Sequence, residues 1–116
     1  MAISELINGT EAISTTEHSM ATDTSYDTGD AQTTDGVYQA FIDVSDMVAG
    51  DELEIRVYEK CRSGDTQRVV DLWSLTDVQS RPIYVTPSLV LMHGWDFTLK
   101  APSGTITVNW SIRQVA

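Results

Sequence analysis

The sequence predicts an all-β protein: an antiparallel β-sandwich, jelly-roll or immunoglobulin-like, with an extended, acidic, Ser/Thr-rich N-terminal region. Three observations predict it. From Gly36 onward, apolar residues recur at every second position, the period of a strand with one buried face. Short clusters of Gly, Pro, Asp and Ser punctuate these runs, as they do in sandwiches and barrels. No stretch of ten residues or more carries the 3.6 period of an amphipathic helix.

The elements follow in order. Residues 1–35 hold twelve Ser/Thr and seven acids, with few large apolar residues: Ile3, Leu6, Ile7, Ile13, Met20 and Tyr26. Such a segment buries little by itself, so it reads as an extended arm or as irregular strands ordered against a partner or against its own sheet. Residues 36–116 form the sandwich core. VYQAFIDV (37–44) places Tyr38, Ala40, Ile42 and Val44 on one face. ELEIRVYEKC (52–61) places Leu53, Ile55, Val57 and Cys61 on one face. A lone Cys at an alternating position is expected to be a small buried hydrophobe. RSGD connects to a return strand, TQRVVDLWSL (66–75). IYVTPSLVLM (83–92) contains Pro87 among β-branched residues, which argues for two short strands joined at a bend rather than a helix. WDFTLK turns Trp95, Phe97 and Leu99 inward, and TITVNWSIR does the same with Ile106, Val108, Trp110 and Ile112.

Charge narrows the function. The chain has 17 acids and 7 bases, and every base lies at Arg56 or later. Nucleic-acid binding needs clustered cations to displace counterions, and none are clustered here, so no nucleic-acid partner is expected. No apolar run reaches the roughly 18 residues of a membrane span, and none is expected. The N-terminus lacks a basic region followed by an apolar stretch, so no export signal is expected.

Chemistry-bearing patterns resolve to structural readings. Asp27-Thr28-Gly29 spells the aspartic-protease triplet, but that chemistry needs an apolar strand leading into a dry site. Here the flanks are polar and acidic, which favours a turn. Acids at 23, 27, 30 and 35 lack the spacing of an EF-hand, so a solvated loop is preferred to a calcium site. His18 and His93 are the only histidines, too few for a zinc centre. Ser88, His93 and Asp96 supply triad residue types without a nucleophile elbow. The expectation is no catalytic residue, no metal, no cofactor and no enzymatic activity. The residues expected to meet a partner are Ile3, Leu6, Ile7 and Ile13 on the arm. Val37, Phe41 and Tyr58 join them, because they fall opposite their strands' apolar stripes or beside them, as an outer patch.

The stretches DGVYQAFIDVSDMVAGDELEIRVYEK, PSLVLMHGWDFTLK and WSIR resemble a group of small virion proteins of tailed bacteriophages. The resemblance spans about residues 35–113, with VYEK and HGWDFTL its most specific parts; residues 1–34 carry no matching motif. It implies a structural head-decoration (cement) protein on the outer capsid surface, made in the host cytoplasm, with the major capsid protein as partner. Self-association is expected too, and a trimer suits a lattice site of threefold symmetry. On this reading residues 2–14 dock on a neighbouring chain. The alternatives are a tail or neck component, or a carbohydrate-binding β-sandwich module for which HGWD is the candidate loop.

Overall fold

The alternation in the second part of the chain becomes strands with their apolar sides turned inward. The computed structural model describes residues 2–27 and 32–115, and their regular structure is entirely β. Ten strands occur: β1 (Ile3–Ile13), β2 (His18–Ser19), β3 (Thr24–Ser25), β4 (Gly36–Asp43), β5 (Glu52–Glu59), β6 (Arg68–Thr76), β7 (Ile83–Val85), β8 (Leu89–Leu91), β9 (Asp96–Lys100) and β10 (Ile106–Val115). They form two antiparallel sheets packed as a sandwich. The first, sheet A, runs β1-β10-β4-β7, with β8 also paired to β4; the second, sheet B, runs β3-β2-β9-β5-β6.

The inward stripes predicted for four strands lie in the core, Cys61 excepted. Tyr38, Ala40 and Ile42 face it from β4, Leu53, Ile55 and Val57 from β5, Trp95, Phe97 and Leu99 from the β9 run, and Ile106, Val108, Trp110 and Ile112 from β10. Tyr38, Trp95 and Phe97 form an aromatic row, with centroids 4.3 Å and 5.8 Å apart, in tilted and edge-on packing. The bend at Pro87 separates β7 from β8. Buried Thr86 keeps the interrupted edge bonded: its amide donates to the Ala40 carbonyl at 3.0 Å and its Oγ1 accepts the Ala40 N–H at 3.0 Å.

The N-terminal arm residues are strand β1. It runs antiparallel to β10 from Ile3↔Val115 to Ile13↔Ile106, with a bulge between Glu5 and Ile7. Residues 3–13, expected to dock on a neighbouring chain, therefore pair with their own sheet. Gly9 makes the pairing possible: a Cβ there would lie 2.5 Å from Cζ2 of Trp110, so only glycine lets the indole lie across the strand. The following residues form a hairpin of β2 and β3, which turns through Asp23 at φ 56° and joins sheet B beside β9.

Cys61 corrects an expectation. It is exposed, because β5 ends at Glu59 and the chain bends away before the cysteine is reached. Val57 and Tyr58 are both buried, although they face opposite sides of the sheet.

Candidate interaction surface

The outer face of sheet A carries a group of apolar side chains, of which Ile3 is exposed and Val37, Phe41 and Val115 are half-buried. Strands β4 and β10 pair antiparallel, so Val37 lies opposite Val115, and Phe41 lies opposite Ser111 with Arg113 diagonal to it. The Arg113 guanidinium sits 3.7 Å from the Phe41 ring centroid, a cation–π contact. Ile3 arrives from β1 opposite Val115. Ile3, Val37, Phe41, Ser88, Arg113 and Val115 line a groove of about 160 Å³. A second shallow groove of about 210 Å³ lies on the other side of the Phe41–Arg113 pair and is reached by Asp43, Ile83 and Asn109.

Two acids border this face. Glu5 accepts hydrogen bonds from the Ser111 hydroxyl and from Asn8 at 2.7 Å. Those bonds, with Arg113 nearby, hold its carboxyl below the ordinary range. Asp43 is lowered likewise by the hydroxyl and backbone N–H of Ser45. Both therefore remain anionic beside the Arg113 cation at neutral pH.

The predicted interface residues divide into three groups. Ile3, Val37 and Phe41 are brought together around the groove. Leu6 is exposed at the β1 bulge, while Ile7 is half-buried and packs on the core. Ile13 and Tyr58 do not belong to an exposed patch. Ile13 is 1 % exposed in the core, opposite Ile106 at the strand end where the sheets close. Tyr58 lies on the other sheet, buried beneath Tyr26, which stacks on it at 4.6 Å. Opposite-face parity places Phe41 and Tyr58 outside their sheets, but these outsides point away from each other.

A second surface was not legible as one. Of eleven exposed large hydrophobic residues, eight fall between positions 69 and 92: Val69, Val70, Leu72, Val78, Ile83, Val85, Val90 and Met92. They belong to edge strand β6 of sheet B, to edge strands β7 and β8 of sheet A, and to their connections. Trp73 and Tyr84 close the seam between the sheets, 6.1 Å apart. Burial raises the Tyr84 phenol above its usual pKa, with Asp71 contributing. Shallow grooves of about 600 and 610 Å³ lie at the two ends of β6. The one sequence signal for this exposure is the doublet Val69-Val70, which breaks the alternation where the register with β5 shifts. The free edge is partly blunted, because Asp71 Oδ1 accepts the Leu72 N–H at 2.8 Å.

The chemistry-bearing candidates are dispersed. Asp27 is exposed; Thr28, Gly29 and Asp30 lie outside the described residues. His18 is buried between Asp23 at 2.9 Å and Glu11 at 3.6 Å, edge-on to Trp110. The His93 N–H donates to Glu59 at 3.0 Å, and Asp96 is bonded to Ser19 rather than to Ser88 or His93. Among the described residues no group of three His, Cys, Asp or Glu side chains is placed to hold a metal. In HGWD, Trp95 and Asp96 are both 0 % exposed, so this stretch presents no platform for a sugar ring. No family model, curated protein or solved structure matches the chain.

Proposed function

We propose that this chain is a structural virion subunit that binds the outer surface of a tailed-phage capsid and stabilises the lattice, the role its sequence resemblance implies. The observation that carries the reading is the grouping of exposed and half-buried apolar side chains on two faces of the sandwich. One is the groove around Phe41 and Arg113; the other is the β6–β8 side. Apolar groups gathered in this way mark contact with another macromolecule. Many such contacts repeated over a lattice sum to a large avidity.

The strand order supports the jelly-roll form of the fold over the immunoglobulin-like one. With the two-residue outer strand β3 set aside, and β7 and β8 counted as one strand, the sheets read 1-8-3-6 and 2-7-4-5, the order of an eight-stranded roll. Jelly rolls recur in capsid and lectin domains, and a fold hosts many functions, so the surface carries the functional argument and the fold accompanies it. The partner on this reading is the major capsid protein, met through the sheet A groove, and copies of the chain meet each other around the lattice site.

Quantifying the chain in purified particles tests the assignment. A copy number comparable with that of the major capsid protein is expected. A single ring's worth per particle would move the protein to the tail or neck. Binding to a glycan array by the isolated protein, without binding to capsids, would replace the reading with the carbohydrate-binding one.

A further inference from the structure

The outer face of sheet B holds a cluster of polar groups that the proposed function does not use. The β2–β3 hairpin, residues 17–27, extends sheet B beside β9 through few backbone bonds, with His18, Met20 and Ala21 buried. Its register with β9 is only His18↔Leu99 and Ser19↔Thr98, and the Met20 N–H donates to the Phe97 carbonyl at 2.8 Å. Side chains provide much of the remaining hold. The Glu17 carboxylate accepts from the Tyr58 hydroxyl at 2.6 Å and from Thr98 Oγ1 at 2.5 Å, with the Arg56 guanidinium 3.8 Å away. Tyr26 stacks on Tyr58, and its hydroxyl donates to Gln67.

Asp96 lies on β9 beside this hairpin, 0 % exposed. Its Oδ1 accepts the Ser19 hydroxyl at 2.9 Å, and the Ala21 backbone also bonds its carboxyl, so the hairpin itself supplies two of its donors. Its Oδ2 is the one buried side-chain oxygen or nitrogen without a hydrogen-bond partner among the described residues. An ionised carboxylate with a dry, unpartnered oxygen is costly, while a neutral carboxyl is not. The titratable and charged groups around it are Glu17 from the β1–β2 connection, Tyr26 from the hairpin, and Tyr58 and Arg56 from β5. Only Arg56 is cationic, and it is directed to Glu17 and Glu54.

We propose that Asp96 makes the β2–β3 hairpin a proton-controlled latch: the neutral carboxyl keeps the hairpin closed on sheet B, and the ionised carboxylate favours its release into water. Burial, together with the nearby Glu17 charge, raises the Asp96 carboxyl to about 7 against the lowering effect of its hydrogen bonds. Once the hairpin lifts, water solvates the carboxylate and its affinity for the proton returns toward the ordinary value. Opening therefore becomes more favourable as pH rises from about 4 to about 7, by up to about tenfold per pH unit, and levels off above. Release uncovers Tyr58 and Thr98, which are buried when the latch is closed, and further exposes the Arg56 guanidinium. Small units with few backbone bonds open locally in this way without global unfolding.

Amide hydrogen exchange on the full chain between pH 5 and 8, corrected for intrinsic rates, tests the latch. Protection of the Met20 amide is expected to fall about tenfold per pH unit up to neutrality and to be insensitive to low urea. In Asp96→Asn it is expected to be independent of pH. Equal pH dependence in both proteins, or a urea dependence of Met20 matching that of the β10 amides, would overturn the proposal. If the variant does not fold, the ¹³C titration of the Asp96 carboxyl in the unmodified protein decides. A midpoint near neutrality supports the latch, and one in the ordinary carboxylate range overturns it.

Discussion

The outer faces of the two sheets are built from similar alternating strands and meet opposite fates. On sheet A the outward residues of β4 and β10 remain exposed or half-buried, and the Arg113 side chain lies over Phe41. On sheet B the outward residues of β9 are buried: Asp96 and Thr98 are 0 % exposed, as are their inward neighbours Phe97 and Leu99. The difference comes from the acidic N-terminal segment. Its first part extends sheet A at the edge as β1, and its second part extends sheet B beside β9 and carries the Glu17 and Tyr26 side chains over the outward residues of β9 and β5. The side chains of β1 leave the face of sheet A open for a partner, while those carried by the hairpin convert solvated positions of sheet B into buried polar ones. Sheet A can therefore offer an apolar groove, and sheet B encloses a carboxyl group.

Substitutions that contrast the two faces sharpen this comparison, beginning with the largest effect. Phe97→Ala removes a fully buried ring from the aromatic row and should cost about 3–5 kcal/mol in chemical denaturation, enough to leave the protein largely unfolded at marginal total stability. Asp96→Asn should change the pH dependence of stability. The folded-state pKa of Asp96, about 7, is above its unfolded value, so the folded protein binds the extra proton. Stability associated with this group is intact below about pH 4, declines as pH rises, and is lost above about 7. The asparagine variant should gain up to about 4 kcal/mol over the parent at pH 8 relative to pH 4, read from urea midpoints at the two pH values. A parent whose stability rises over that interval would break the contrast between the faces.

Smaller effects follow. Gly9→Ala forces a methyl against the Trp110 indole and should cost about 1–3 kcal/mol, seen as a lowered melting temperature and altered tryptophan fluorescence. Tyr58→Phe deletes the hydroxyl bonded to Glu17 while keeping the stack on Tyr26, and should cost about 1–2 kcal/mol. The Tyr58 and Tyr26 phenols are both raised by burial first and by Glu17 next, Tyr26 to about 12, so neither ionises in the range where Asp96 titrates. Phe41→Ala, the same change as at Phe97 but on the open face, should shift stability by less than about 1 kcal/mol and instead abolish co-sedimentation with capsids. Retained co-sedimentation would remove the sheet A groove from the proposed function.

Much of the fold can be read directly from the chain because the physics there is local. Tyr38, Ala40, Ile42, Leu53, Ile55, Phe97, Leu99 and the β10 stripe alternate with polar residues, and a strand's period of two leaves one arrangement that buries them. Pro87 and the Gly-containing turns mark the breaks for equally local reasons. Part of the candidate surface was legible on the same grounds, since Val37 and Phe41 fall outside the buried stripe. Where neighbours distant in sequence decide, the pattern is silent. Ile13 and Tyr58 look like Ile3 and Phe41 in the sequence, yet one lies at the closing end of the sandwich and the other under Tyr26. Cys61 lies beyond the end of β5, where the alternation no longer applies.

By itself, then, the sequence determined that this is a strand-built sandwich, which residues line its core and where its turns fall, because burial and backbone geometry act within a few residues. Only the tertiary structure decided which edges pair, which outer face stays open, and that Asp96 lies buried beside the hairpin. Those outcomes depend on contacts between residues far apart in the chain, such as Ser19 with Asp96, 77 positions away, and no local pattern encodes them.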